Sequence, residues 1–175
     1  MTSTVPRAVD HRMTRVDIPT GIAFDAFRAA FEHAAPAFDT ARVERITDNG
    51  GTWGDVRDAV AANAPNGLMV YAVIDSTRRL AVAGHRIKAV EYLLGNVVIA
   101  ETMFRHDPKA LLYAPLRVLV HSDPAGNAIF SMDRPSTAFA SLGIAEITEV
   151  GKSLDRKVAA LLRAIGVEPG DAFGG

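Results

Sequence analysis

The residues with the clearest potential for chemistry lie around one predicted short helix. Glu101 lies on this helix, and His106 follows its end directly before Asp107-Pro108. A histidine at a helix C-terminus is stabilised as the cation, and a carboxylate within reach can share in proton transfer. We therefore predict that Glu101 and His106 form a catalytic general acid/base pair. The structural alternatives are that His106 only caps the helix and that Glu101 only pairs with Arg105, four positions away.

Five further residues are candidates for binding a ligand. They supply a hydroxyl, an amide, a thioether and two guanidinium groups, and they are Tyr92, Asn96, Met103, Arg117 and Arg134. Arg117 interrupts an apolar strand, so it either anchors a carboxylate in a concave site or pairs with Glu91 or Asp133. Asn96 follows Gly95 and either contacts a ligand or caps the short helix.

The remaining motifs exclude several enzyme classes. The chain has no cysteine, which excludes thiolate zinc sites, iron–sulfur clusters and cysteine nucleophiles. No two of the five histidines are spaced as contiguous metal ligands would be. Nucleophile-elbow, Rossmann and P-loop motifs are also absent. We therefore predict no metal ligand and no cofactor, and haem or metal binding through one histidine is kept as a third alternative for function.

Composition sets the class of protein. The 175 residues are 49% hydrophobic, which is enough to bury the core of one domain. Lys and Arg number 19 against 20 Asp and Glu, so the chain lacks the basic excess that is typical of nucleic-acid-binding proteins. The first twelve residues contain no apolar signal-peptide segment, and no apolar run approaches the roughly 20 residues that span a membrane. These patterns predict a cytoplasmic protein with no nucleic-acid or membrane partner.

Hydrophobic periodicity predicts the helices that position these side chains. Apolar stripes at spacings of three and four residues predict helices over 24–34 and 147–165, the latter capped by Gly166. Thr52, with Asp55 three positions later, predicts another helix start. The stretch 39–46 is compatible with either a strand or a helix.

Alternating or continuous apolar runs predict the strands. These runs cover 14–18, 68–74, 86–94, 115–121 and 128–133, and the last two are expected to form a hairpin. The continuous run 68–74 is typical of a central strand covered on both faces or of a strand that faces a cavity. Ser136 is expected to cap the helix that follows the hairpin.

The element order predicts an α+β fold with an antiparallel or mixed sheet of about four to five strands and helices on one face. Its parts are a flexible N-terminal segment at 1–13, one domain over 14–166 and a flexible tail at 167–175. The domain includes a helical insertion at about 34–66.

A run of short motifs adds a resemblance to a known family. Gly95-Asn96, Asp107-Pro108, the strand 114–120, the Gly126 turn and Asp133-Arg134-Pro135-Ser136 resemble the family called domain of unknown function 302, over about residues 68–165. The resemblance implies a compact fold of a β-α-β-β-β-β-α kind, similar to the TATA-binding-protein-like class. It also implies frequent dimers, and it implies no established reaction.

Two main hypotheses for function follow. The first is a small-molecule-binding domain, including the case of a cofactor-independent enzyme, whose apolar pocket takes a small apolar or carboxylate-bearing ligand. The second is a non-catalytic homodimeric or partner-binding module that uses the uncovered face of the sheet. A cavity that converges on Glu101 and His106 would favour the first hypothesis. A flat apolar face buried on a twofold axis would favour the second.

Overall fold

The computed structural model describes residues 5–174. The strands are β1 (Arg15–Ala23), β2 (Met69–Asp75), β3 (Ala89–Gly95), β4 (Leu116–Ser122) and β5 (Asn127–Asp133). The helices are α1 (Phe24–Ala34), α2 (Thr40–Asp48), α3 (Trp53–Asn63), α4 (Thr77–Val82), α5 (Val97–Phe104), α6 (Pro135–Ala140) and α7 (Ala145–Ala164). Two short 3₁₀ helices cover Pro108–Leu112 and Gly170–Phe173. None of the helices within 5–174 is both long and apolar enough to cross a bilayer.

The five strands form one antiparallel sheet in the order β1-β5-β4-β3-β2. Side chains alternate across it as an antiparallel sheet with one covered face requires. In β4, for example, Val118 and Val120 are fully buried, whereas Arg117 and Leu119 are exposed. The helices pack on the buried face. The predicted α+β fold, with helices on one face of an antiparallel sheet, is confirmed.

The core lies between this covered face and the two amphipathic helices α1 and α7. Phe27 and Phe31 of α1 are completely buried, and the Phe31 ring lies 5.0 Å from the ring of Tyr92 and 6.0 Å from that of Phe130. Ring pairs at such distances contribute more than their buried area alone. The aromatic stripe that predicted α1 is therefore the stripe that attaches it to the sheet.

The segment predicted as a helical insertion contains α2 and α3. Thr52 and Asp55 form a reciprocal capping box at the start of α3, as their spacing predicted. The stretch 39–46 is helical because the Asp39 carboxylate accepts a hydrogen bond from the Arg42 amide at 3.0 Å and caps α2. Val56 and Val60 of α3 form a small second core with Met69 of β2.

Of the two alternatives for 68–74, the central strand is wrong, because β2 is an edge strand, while Tyr71 of this strand does face a cavity, described below. Its apolar run has two different causes. Met69 and Val70 are buried, in part because residues 36–38 run beside Val70 as a short parallel bridge. Val73 and Ile74 are 45% and 43% exposed. A continuous apolar run therefore indicates burial only in the first half of this strand.

The chain ends differ from their predicted behaviour in one respect. Residues 5–13 form neither helix nor strand, while the parts of the predicted flexible segments that fall on residues 1–4 and 175 lie outside the described chain. The tail, however, packs on the domain: Val167 is 3% exposed and Phe173 is 6% exposed. Gly and Pro favoured fraying, but these two apolar side chains hold the tail against the core.

Candidate functional site

A partly open cavity of about 190 Å³ lies beside α5. The ends of β3 and β4 that meet at Gly95 and Pro115 form one side, and α7 closes the bottom through Leu154. Its lining is almost entirely apolar and includes Leu94, Ile99, Met103, Leu111, Leu116 and Leu154. The predicted ligand-binding residue Met103 is thus in a cavity wall, where it is buried.

Two polar side chains reach this cavity, and they differ in how much of their hydrogen-bonding capacity is free. The Asn96 amide is largely used: its oxygen accepts from the Val98 and Ile99 amides, and one of its two N–H groups donates to the Gly67 carbonyl at 3.0 Å. It is the N-cap of α5, as one of the two sequence alternatives stated. The Tyr71 phenol oxygen, in contrast, is buried, and its O–H has no acceptor within residues 5–174; the backbone amide of Val97 faces the oxygen without reaching hydrogen-bond geometry.

The environment of Tyr71 is apolar. Its ring stacks on Phe38 with centroids 4.5 Å apart, and Gly95 approaches its edge. Burial raises the pKa of the Tyr71 phenol, while the backbone amide of Val97 acts in the opposite direction. Tyr71 is therefore a neutral hydroxyl at the wall of an apolar cavity. It was not among the sequence candidates, because one tyrosine within an apolar strand gives no signal of its own.

Glu101 and His106 do not line the cavity. Glu101 forms an ion pair with Arg105, one turn later on α5, and this bond raises the pKa of Arg105. His106 is exposed, and its backbone amide closes the end of α5 by donating to the Met103 carbonyl at 3.0 Å. The placement of Glu101 matches its structural alternative, whereas for His106 no side-chain contact that caps α5 occurs within the described residues. Their acid/base role stays a prediction that no contact in the structure supports.

Tyr92 is a core residue and not a wall of the cavity. It is completely buried, and its hydroxyl donates to the Glu32 carboxylate at 2.8 Å. The Arg28 guanidinium forms an ion pair of 2.9 Å with the same Glu32 carboxylate and a second ion pair of 2.7 Å with the Asp75 carboxylate. Burial, followed by the bond to Glu32, raises the pKa of Tyr92, and the bond to Arg28 lowers the pKa of Asp75. This network ties α1 to the end of β2 and the middle of β3.

Arg117 lies on the opposite, open face of the sheet. Its side chain is 79% exposed, and its Nε lies 3.7 Å from the Glu91 carboxylate, which is the pairing that one sequence alternative named. It lines a second hollow of about 230 Å³ together with Met13, Leu93 and Asp133. Because Leu93 and Leu94 face opposite sides of β3, this hollow and the apolar cavity are separated by the sheet.

Arg134 lies where the hairpin leads into α6. Its Nε is buried without a hydrogen-bond partner within the described residues, and its charge acts on Asp155 of α7. The expectation that Ser136 caps α6 is wrong: no side chain of α6's own N-terminus makes a cap bond. The buried Asp155 carboxylate accepts from the Ser136 amide instead, so the cap comes from another helix.

The structure therefore separates the predicted site residues. Met103 and Asn96 meet at the apolar cavity, while the other predicted residues lie elsewhere: Tyr92, Glu101, His106, Arg117 and Arg134. Within residues 5–174, no three His, Asp or Glu side chains are grouped closely enough to hold a metal ion.

Comparisons with known proteins agree on the fold. A family model described as "Domain of unknown function DUF302" matches residues 47–165, which is more than half of the chain. The crystal structure of an uncharacterized conserved DUF302 protein from Bacillus stearothermophilus is similar, with a TM-score of 0.62 and 12% sequence identity over 88% of this chain and 99% of that chain. At this identity the likeness shows the fold alone. No curated protein matches the sequence.

Proposed function

This chain belongs to the family of domain of unknown function 302, and within it we propose that the protein is a small-molecule-binding domain whose ligand occupies the apolar cavity beside α5. The observation that carries the proposal is the combination of an apolar cavity with a buried, unpartnered Tyr71 hydroxyl. A buried hydroxyl without a partner costs free energy, and a ligand that bonds to it would recover that cost.

The size of the cavity limits the ligand. Its volume of about 190 Å³ slightly exceeds the roughly 150 Å³ of an engineered apolar cavity that binds benzene. A single ring with a short substituent, or a branched aliphatic chain of similar bulk, fits this space. Apolar walls favour such a ligand because binding removes apolar surface from water.

The chemistry of the walls limits the charge of the ligand. None of the lining residues carries a charge, and the polar side chain whose buried oxygen forms no hydrogen bond is that of Tyr71. A carboxylate would lose its hydration there without gaining a cation, which is strongly unfavourable. Of the two ligand types that the sequence suggested, the apolar one is therefore favoured. We propose a neutral ligand with one carbonyl or hydroxyl group bonded to Tyr71.

Phenol and benzene are suitable probes, because they share a shape and differ in the hydroxyl. Each is titrated into the full-length protein while methyl NMR signals of Ile99, Met103 and Leu154 are followed. We expect saturable shifts with both probes and tighter binding of phenol. Tyr71→Phe should remove the preference for phenol while benzene binding is kept.

Filling the cavity provides the matched control. Ala100 is half-buried in the cavity wall, so Ala100→Phe should occupy the ligand's space and abolish binding of both probes. Ala61→Phe makes the same change at an exposed position of α3 and should leave binding intact. Absence of saturable shifts in the unaltered protein, or equal binding by a folded Ala100→Phe variant, would refute the proposal.

A second candidate function rests on the open face of the sheet. No helix of the described chain covers it, and Leu119, near its middle, is 38% exposed. Arg15 and Asp133 lie opposite each other in register at one end of this face. A twofold partner could pair such opposite charges while covering Leu119. Light scattering distinguishes an 18.7 kDa monomer from a dimer, and Leu119→Glu should dissociate the dimer that this candidate requires.

A further inference from the structure

The outer edge of β2 is closed over only half its length. The Val70 amide donates to the Pro36 carbonyl at 2.9 Å, and the Phe38 amide donates to the Val70 carbonyl at 2.8 Å. These bonds form the parallel bridge that joins residues 36–38 to the edge of the sheet. It stops there because Asp39 caps α2 and the chain turns away from the sheet. Within residues 5–174, no other strand lies beside the rest of β2 on this side.

Along the rest of this edge, the Asp75 carbonyl accepts from the Arg79 guanidinium at 3.4 Å, and the backbone groups of Val73 are available. The Ser76 amide bonds to the Ala89 carbonyl on β3, so the alternation of an antiparallel ladder directs the amide and carbonyl of Val73 outward. No hydrogen bond to these two groups occurs within residues 5–174. The side chains of Val73 and Ile74 are 45% and 43% exposed. We call residues 73 and 74 the open edge; it ends at Asp75, whose carboxylate pairs with Arg28.

A strongly basic turn follows the open edge. Residues 76–88, which we call the basic turn, contain Arg78, Arg79 and Arg86 and no Asp or Glu. None of these three arginines forms an ion pair within the described chain, and residues 78–87 are all exposed. Apolar side chains are exposed among them, most strongly Val82, at 91%. The local charge contrasts with the net charge of −1 for the whole chain.

We propose that the open edge and the basic turn together bind an extended, acidic segment of a partner protein. The segment adds to the sheet as a strand that continues the line of residues 36–38, and its backbone bonds to the outward groups of Val73. Its carboxylates lie next to Arg78 and Arg79, and its apolar side chains cover Val73 and Ile74. Backbone pairing supplies affinity, and the charge complementarity selects acidic segments.

The same features argue against an anionic lipid surface as the occupant. A lipid surface would attract the arginines and accept Val82, but it would leave the amide and carbonyl of Val73 without a partner. A strand of protein can bond to the backbone of the edge, cover the apolar side chains and pair with the arginines at the same time. This site lies on β2 and α4 and is independent of the cavity beside α5.

The test uses a fluorescent, six-residue peptide that alternates valine and glutamate, with both ends blocked. Binding to the full-length protein is measured by fluorescence anisotropy. We expect saturable binding that weakens with added salt. A version with glutamine in place of glutamate should bind at least about tenfold more weakly, and a version with alternate backbone amides methylated should not bind.

Two variants test the two parts of the site. Val73→Pro removes the outward amide at an edge position that tolerates proline, and Arg78→Glu with Arg79→Glu reverses the charge. Each should weaken binding at least about tenfold, while Arg57→Glu, at an exposed arginine of α3, should not. Circular dichroism confirms that each variant is folded.

Three results would overturn the proposal. The first is no binding of the peptide, or equal binding by the Val73→Pro variant. The second is a dimer of the protein alone that Val73→Pro dissociates, which would make a second copy the occupant. The third is binding to phosphatidylserine vesicles that is lost on reversal of Arg78 and Arg79 and unaffected by Val73→Pro, which would make the occupant a lipid surface.

Discussion

Asp155, within the long helix α7, accepts a hydrogen bond of 2.9 Å from the backbone amide of Ser136 in the first turn of α6. The carboxylate is 4% exposed, and burial raises its pKa, although Ser136 and Arg134 act in the opposite direction. One acidic side chain thus caps a neighbouring helix and faces a buried guanidinium. The hydrogen bond stabilises the fold, whereas the buried charge costs free energy.

Replacement of Asp155 separates these two effects. Asp155→Asn keeps an oxygen that can accept from the Ser136 amide, so we expect it to lower the free energy of unfolding less than Asp155→Ala does. The alanine variant leaves the Ser136 amide unpaired, and we expect it to lower the free energy of unfolding by about 1–3 kcal/mol. Urea denaturation of both variants measures the difference. Equal destabilisation by both would show that the charge, and not the cap, is the important property.

The raised pKa of Asp155 also sets a pH dependence. Its ordinary pKa is 3.8, and in the folded protein the pKa is higher, so the folded state holds this proton more tightly than the unfolded state. The stabilisation by the protonated form is complete below pH 3.8 and is lost as pH rises through the folded pKa. Asp155→Asn should therefore gain stability relative to the unaltered protein as pH rises from about 3 to 7. A constant difference across this range would contradict the assignment.

The Tyr92 hydroxyl stabilises the contact between α1 and the sheet. Tyr92→Phe removes its bond to Glu32 while Arg28 still pairs with that carboxylate, so the expected loss is modest, about 0.5–1.5 kcal/mol. Tyr113→Phe is the matched control, because its hydroxyl contacts are 3.3 Å long and partly exposed. Thermal and urea unfolding should show the larger loss for Tyr92→Phe. A larger loss for Tyr113→Phe would contradict this order.

Glu101 and His106 provide a direct test of the sequence hypothesis. Because neither side chain lines the cavity, we expect Glu101→Gln and His106→Ala to leave the affinity for phenol unchanged within about twofold. The sequence hypothesis predicts the opposite, a loss of ligand binding without unfolding. NMR titration of the two variants decides between them, and loss of binding in either folded variant would restore the acid/base pair as part of the site.

The capping box should stabilise the first turn of α3. Thr52→Ala removes the side chain that accepts from the Asp55 amide, and such N-cap replacements cost about 1 kcal/mol. Thr52→Ser keeps the hydroxyl and should cost little. Hydrogen exchange of α3 amides is the sensitive measurement, since fraying would begin at this end. Unchanged exchange in Thr52→Ala would show that packing of Val56 and Val60 alone fixes the helix.

The elements that were predictable are those specified by local chemistry. The capping box of Thr52 and Asp55, the stripe on α7 and the loop of the hairpin all rest on residues that are near one another in the chain. The position of β2 in the sheet was not predictable from its own residues. An apolar run is the same whether another strand or a segment such as 36–38 covers it.

The cavity was less predictable than the fold. Asn96 and Met103 were found because a Gly-Asn pair and a helix stripe are visible in the sequence. Tyr71 and Leu154 are 83 positions apart, and only the folding of α7 under the sheet brings them to one cavity. Tyr92 was misassigned because a tyrosine in a strand has the same pattern whether its hydroxyl meets a ligand or the Glu32 carboxylate.

The two edges of the sheet differ in a way that governs assembly. At β1, the ladder with β5 becomes irregular between Pro19 and Ala23, and the 3₁₀ helix Gly170–Phe173 contacts this strand. A proline and a packed tail make this edge a poor template for another strand. The strand addition proposed at β2 therefore has no counterpart at β1. Such a complex would join one partner segment to one copy of the protein, because the second edge offers no site from which copies could chain into a filament.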